Sequence, residues 1–323
     1  MIISPGAKLN LGLSITGKRK DGYHDLVTLF YPIRFSDSLE IIRTADSQQT
    51  ASPDKDALRW QDKTAPEMYK LPVQTYGQDG HKGNPLITYS TSGLPVKGDL
   101  KDNLCIRAYA LLKADFPELP SVAMHLHKSV PLGAGLGGGS ADGAAMLNAL
   151  NELAGLHLSE TTLMRYAAKL GSDCPVFIKN EPQIATGRGE ILTPAPAELT
   201  SVLKGYTLVL VCPMIHVPTA ATFSRIKPKA GATPQNLTEC LLEGPQFWRG
   251  RLINDFEVSV FSQFPQIKKI KEDLYQMGAS YASMTGSGSA VFAFFNEEHA
   301  LSEKLPEQCR QHFNGYLVNS WLC

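Results

Sequence analysis

The chain has 323 residues, 43% of them hydrophobic, so a core can form and disorder is excluded as a global description; at about 150 residues per domain, two domains or one large one are expected. Lys+Arg and Asp+Glu number 31 each, so the formal net charge is zero, which excludes a broad nucleic-acid surface but not a local anion site. The opening residues Met1–Gly6 do not read as a signal peptide, and the longest apolar runs are strand-sized, short of the roughly 20 residues that span a membrane.

Lys8 to Gly17 alternates through Leu9, Leu11, Leu13 and Ile15, which predicts a half-buried strand. Lys18 to Asp21 predicts a charged, solvated turn ending at Gly22. Leu26 to Ile33 and Ser38 to Ile42 predict further strands. Thr44 to Gly83 is polar and broken by Pro53, Pro66 and Pro72; it reads as a surface excursion with a short strand at Leu71 to Tyr76. Leu86 to Ser90 is another strand. Asp102 to Phe116 carries Leu104, Ala108, Leu111 and Leu112 on one helical face, and Pro117 and Pro120 end it. Val122, Met124 and Leu126 then alternate as a strand.

After a glycine-rich loop, one helix runs through Leu153 to about Gly155. A second spans about Ser159 to Leu170 with Gly171 as C-cap. The second half predicts strands at Tyr206 to Val211 and Ala290 to Phe295, and a helix from Pro265 to Met277. Strands and helices mix without regular βαβ alternation, so the expected class is α+β. The six cysteines (Cys105, Cys174, Cys212, Cys240, Cys309, Cys323) form no C-x-x-C pair; reduced thiols in a cytoplasmic protein are expected, without structural zinc. His125 and His127 share a strand face with no acidic or Cys partner nearby in sequence, so no protein metal site is assigned.

The loop concentrates the chemistry. Pro131-Leu132-Gly133-Ala134-Gly135-Leu136-Gly137-Gly138-Gly139-Ser140-Ala141-Asp142 joins a strand to a helix, with five glycines in the seven residues from Gly133 to Gly139. Backbone N–H groups without Cβ obstruction can close around a phosphate, and a helix N-terminus adds partial positive charge. It is not a Walker A loop, having no Gly-Lys-Ser/Thr. It is not a dinucleotide fingerprint either, because another helix follows where a parallel strand with an acidic residue would be needed. Ser140 could cap the helix or approach a phosphate.

This loop resembles the ATP loop of the GHMP kinase superfamily. Pro5-Gly6-Ala7-Lys8-Leu9-Asn10-Leu11 and Met284-Thr285-Gly286-Ser287-Gly288-Ser289-Ala290 agree with it in order and spacing. Further segments narrow the resemblance to the branch whose acceptor is a methylerythritol alcohol bearing a cytidine diphosphate. These are Gly22-Tyr23-His24-Asp25, Asp102-Asn103-Leu104, Gly171-Ser172-Asp173-Cys174-Pro175, Gly187-Arg188-Gly189-Glu190 and Asn254-Asp255-Phe256-Glu257. The resemblance covers nearly the whole chain except about residues 44–83.

The resemblance implies a two-domain α+β GHMP kinase fold with the site in the cleft between domains, drawn at 1–183 and 184–323. It implies transfer of the ATP γ-phosphoryl group to a tertiary hydroxyl, with ATP and Mg²⁺ as cofactors. Asp173 would be the base and Lys8 the charge-stabilising cation. Pro131, Gly133, Gly135, Gly137, Gly138, Gly139, Ser140 and Asn103 would hold ATP, and Asp142 is a further contact in the phosphate region. Tyr23 would stack on cytosine, His24 would meet its hydrogen-bonding edge, Phe223 would cover its other face, and Thr219 and Asn10 would contact hydroxyls or phosphate.

The bland readings are that Asp173 caps a short helix and that Phe223 is core. Gly143 departs from the usual alanine, at a cost of up to about 1 kcal/mol. Alternatives in function are another GHMP kinase, such as a homoserine kinase, or a non-catalytic nucleotide-binding protein on the same fold. Oligomeric state is not readable.

Overall fold

The computed structural model describes residues 1–44, 73–76, 86–96, 98–218, 222, 226, 231, 233–302 and 304–323. Its strands, in chain order, are β1 (Ile2–Ile3), β2 (Gly6–Lys18), β3 (His24–Ser36), β4 (Ser38–Arg43), β5 (Val73–Tyr76), β6 (Ile87–Gly93), β7 (Val122–Lys128), β8 (Gln183–Thr186), β9 (Ile191–Pro194), β10 (Tyr206–Cys212), β11 (Tyr281–Met284), β12 (Val291–Asn296) and β13 (Leu317–Leu322). Among the described residues they form three sheets, ordered β1-β4-β7-β6-β5, β2-β3-β8-β9 and β11-β12-β10-β13. Among the described strands only β6 and β7 pair in parallel, and strands and helices are mixed as the sequence predicts. Most of the Thr44 to Gly83 excursion lies outside the described residues; Val73–Tyr76 forms a strand on the edge of β6.

The first sheet packs on α1 (Leu104–Asp115), α2 (Gly138–Leu153) and α3 (Glu160–Leu170). Leu39, Ile41, Met124 and Leu126 meet Ile106, Tyr109, Leu147 and Leu150 in one core. Asn103 caps α1, its Oδ1 accepting from the amides of Cys105 (2.9 Å) and Ile106 (3.4 Å). Ser159 caps α3. Gly143 has a packing reason: a Cβ there would lie 2.8 Å from Leu104 Cβ, so glycine lets α1 and α2 approach.

The alternation read in β2 is real, but half-burial is not. Residues Gly6 to Leu13 are all buried. Leu9 and Leu11 face the core shared with Leu208, Leu210, Phe292 and Phe294, and Leu13 and Ile15 extend into the next cluster. Lys8 and Asn10 alternate with these leucines, and their face is covered by the glycine loop and Thr285 instead of by solvent. The third sheet is buried on both faces. Val209, Val211, Ala293 and Phe295 pack on helices Phe256–Gln263, Pro265–Gln276 and Leu305–His312, which is why β10 and β12 read as unbroken apolar runs.

The division drawn at 183/184 falls at the start of β8. The hairpin β8–β9 bonds to β3, so the sheet of the first half continues to Pro194.

A buried ionic cluster sets where the glycine loop starts. Lys128, the last residue of β7, bonds Asp37 and, at 2.8 Å, Asp142 of α2. Asp37 Oδ1 also accepts from the amides of Ser129 (2.6 Å) and Val130 (2.8 Å). All three ionic side chains are buried. Removing one member of such a cluster strands the other charges without water. We expect Lys128→Met to lower the unfolding free energy by about 3–5 kcal/mol, read from urea denaturation.

Candidate active site

Between β7 and α2 the chain takes positive φ at alternate positions, Gly133 (69°), Gly135 (80°) and Gly137 (72°), while Ala134 and Leu136 are buried. Alternation of this kind lets a backbone form an anion-binding concavity. The loop is held from two sides. Lys8 N–H donates to Leu136 O (2.9 Å), and Ala290 N–H donates to Ala134 O (3.1 Å). A Cβ on Gly135 would lie 2.1 Å from Thr285 O, so the second glycine turn can approach only because residue 135 has none. The side chain of Asn254 holds that turn through Met284 O (2.7 Å) and Gly286 O (2.8 Å). Gly137 is the N-cap of α2 without a side-chain bond, so Ser140, in the first turn, does not cap the helix.

Lys8 is 3% exposed beneath this loop. Its ammonium donates to Asn10 Oδ1 (2.6 Å) and Gly135 O (3.1 Å), pairs with Asp173 Oδ2 at 3.6 Å, and lies 5.0 Å from the Phe30 ring centroid. Two hydrogen bonds and one ion pair thus surround the ammonium. Burial pushes the Lys8 pKa below its ordinary value, and Asp173 opposes that shift. Asp173 is 39% exposed, so this carboxylate reaches solvent while its partner does not.

The bland reading of Asp173 does not hold: the short helix α4 (Val176–Lys179) is capped at Pro175 without a side-chain bond. Asn10, expected to touch substrate, is instead buried. Its Oδ1 accepts from Lys8 and Thr285, and its Nδ2 donates to Thr28 Oγ1 (3.0 Å).

Tyr23 is 55% exposed at the end of the turn before β3, with the Arg188 guanidinium 4.8 Å from its ring centroid. His24, the first residue of β3, is buried. Burial, with Lys18 nearby, lowers its pKa and favours the neutral ring. Thr219 and Phe223 lie outside the described residues.

A cavity of about 330 Å³ touches the loop at Leu132 and Gly139 and is lined by Tyr89, Leu104 and Leu126 together with Asn103, Lys128 and Asp142. Asn103 Nδ2 donates to Tyr89 Oη (3.1 Å). Burial pushes the Asp142 carboxyl up to about 7 against the pull of Lys128, and its Oδ1 has no partner among the described residues. A glycine loop able to hold an anion, with a cavity at its helix end and a Lys–Asp pair beneath it, suits a nucleotide and an acceptor together.

The GHMP kinases N terminal domain model matches residues 103–181, and the GHMP kinases C terminal model matches 239–311. A 4-diphosphocytidyl-2-C-methyl-D-erythritol kinase of Bacteroides fragilis is 43% identical over 94% of this chain and 95% of its own length. One of Cytophaga hutchinsonii is 37% identical over 92% and 93%. The chain belongs to the 4-diphosphocytidyl-2-C-methyl-D-erythritol kinase family. A crystal structure of 4-(cytidine 5'-diphospho)-2C-methyl-D-erythritol kinase superposes with a TM-score of 0.70 at 27% identity, covering 99% of this chain and 98% of that one. A homoserine kinase of Cytophaga hutchinsonii (TM-score 0.61, 15% identity, 98% of this chain and 94% of that one) shares the fold. The GHMP kinase fold read from the loop is therefore correct.

The structure brings Lys8, Asn10, Asp173 and the loop glycines together, and sets Tyr23 and His24 nearby through the turn at Gly187–Glu190, where Leu26 N–H donates to Gly187 O (2.8 Å). Thr285, Phe30, Lys128 and Asp37 join the site without being among the residues the sequence marks. Thr285 stood inside a recognised motif, and Lys128 immediately precedes the loop, so both had a positional signal.

The unfolded chain binds the Lys8 proton more tightly than the folded one, so this group adds stability as pH rises toward 10.5. In urea unfolding between about pH 8 and 10, wild type should gain stability relative to Lys8→Met. A difference independent of pH would contradict the burial argument.

Proposed function

We infer that this chain transfers the γ-phosphoryl group of ATP to the 2-hydroxyl of 4-diphosphocytidyl-2-C-methyl-D-erythritol, a step in non-mevalonate isoprenoid precursor synthesis. The observation that carries the reading is the half-exposed Asp173 carboxylate, 3.6 Å from a buried ammonium under the glycine loop. Asp173 accepts the hydroxyl proton as that oxygen bonds to the γ-phosphorus and the β,γ-bridging oxygen departs with ADP. Lys8 sets a positive charge beside that carboxylate, next to the transferring group where charge accumulates. Asn10 acts behind it, fixing the ammonium from below.

The loop amides from Gly133 to Gly139 and the start of α2 cradle the phosphates, and the cavity beside Asn103 takes the nucleoside. Tyr23 offers a face to cytosine. A neutral His24 can donate at one ring nitrogen and accept at the other, which suits the base's mixed edge. Thr219 and Phe223 keep their expected substrate roles in this proposal.

Mg²⁺ belongs to the proposal as well. Among the described residues no group of three or more His, Cys, Asp or Glu could hold a metal ion. Mg²⁺ commonly binds substrate phosphates plus one or two protein oxygens. The Ser140 hydroxyl, in the first turn of α2 beside the loop, fits as one such oxygen. Bound with ATP, the ion would neutralise charge on the β- and γ-phosphates. All six cysteines are unpaired, which supports a cytoplasmic setting.

ADP release assayed with diphosphocytidyl-methylerythritol, homoserine, mevalonate and galactose should occur with the first alone; turnover only of homoserine would overturn the assignment. Asp173→Asn should reduce kcat by about 10²–10⁴ while ATP still binds, because an amide cannot take the proton. Near-normal kcat would remove Asp173 from the base role.

A further inference from the structure

The substrate proposed above has a nucleobase at one end, an alcohol at the other and a diphosphate between them. Its two ends are assigned to Tyr23 and Asp173, and the middle carries the charge. The β8–β9 turn, Gly187–Glu190, bridges those two residues. Gly187 O accepts from Leu26 N–H (2.8 Å), which pins the turn two residues after His24. At its other shoulder a Cβ on Gly189 would lie 3.7 Å from Asp173 Oδ1 and 3.6 Å from Phe30 Cζ. Arg188 stands between these points with its guanidinium over the Tyr23 ring.

The remaining chemistry fits an anion. Arg188 is 35% exposed and pairs with Glu190 at 3.5 Å through Nε. Glu190 also accepts from the Arg188 amide (2.5 Å), which fixes the residue from its backbone side. The neighbouring cation Arg19 is engaged by Asp21 (3.1 Å) and Asp25 (3.0 Å), and Lys8 is enclosed beneath the loop. We propose that Arg188 binds the diphosphate of the acceptor substrate and fixes its register between the Tyr23 platform and Asp173. A planar guanidinium suits this task, since it offers paired donors to phosphate oxygens while its face stacks on an aromatic ring.

The proposal rests on the kinase reading, and the test separates the two. Binding of cytidine and of CDP to the full chain is measured with the ATP site filled by a non-hydrolysable ATP analogue, in wild type, Arg188→Gln and Arg188→Lys. Wild type should prefer CDP. Arg188→Gln should lose about tenfold or more of CDP affinity and keep cytidine affinity within about twofold, and Arg188→Lys should recover part of the loss. In turnover, KM for the acceptor should rise in Arg188→Gln while KM for ATP stays the same.

Equal losses for cytidine and CDP would overturn the proposal and leave Arg188 as a prop for Tyr23. Unchanged CDP binding would overturn it outright. Arg188-dependent CDP binding in a wild type that does not phosphorylate the acceptor would sink the kinase reading and keep the diphosphate site. A wild type that binds no CDP would sink both.

Discussion

The site depends on keeping one ammonium out of water. An unpaired cation at the depth of Lys8 would lose its proton or unfold the region, so the fold must bring acceptors to it. They come from three separate places: Asn10 on the same strand, the carbonyl of Gly135 in the loop, and Asp173 before α4. Satisfying one charge therefore fixes the relative positions of β2, the loop and the carboxylate. The same low dielectric makes that charge count in chemistry, because an ammonium screened by water would act weakly on a transferring phosphoryl group.

The second half of the chain completes this arrangement from outside. The Thr285 hydroxyl lies 3.3 Å from Gly135 O and accepts from Asn10 N–H at 3.0 Å. Asn254 and Glu257 fix the strand end that carries it, Glu257 Oε1 accepting from the Met284 amide and Ser283 hydroxyl, each at 2.9 Å. The Asn254-Asp255-Phe256-Glu257 motif is thus a lock on the wall of the glycine loop. A loop so rich in glycine would lose much conformational entropy on ordering. Bonds from both halves, with the Lys128 cluster at its entrance, offset that cost and leave the amides preset for an anion.

What was legible in the sequence was what is local. β2, β7 and α1 to α3 have enough length for a period to show, and the loop is readable because clustered glycines have few other physical reasons. Strands β8, β9 and β11 are four residues each, too short to show a period, and the sequence alone did not indicate them. The polar face of β2 was misjudged for a different reason. Alternation says that two faces differ, but solvent and a closed site look the same from inside one strand. Asn10 illustrates the limit: its bond from Lys8 spans two residues, but its neighbour Thr285 is 275 residues away.

The zero net charge also acquires a structural meaning. The proposed ligands, ATP and a nucleoside-diphosphate ester, are polyanions, and a uniformly basic surface would attract any polyanion equally. In the proposal neutral amides take the nucleotide phosphates, and three cations of the site each have a carboxylate partner: Asp173 for Lys8, Asp37 and Asp142 for Lys128, Glu190 for Arg188. Pairing keeps the overall charge balanced and confines positive potential to a few ångströms around each group. Discrimination then comes from the spacing of those groups, which a ligand must match along its length, and not from the total charge it carries.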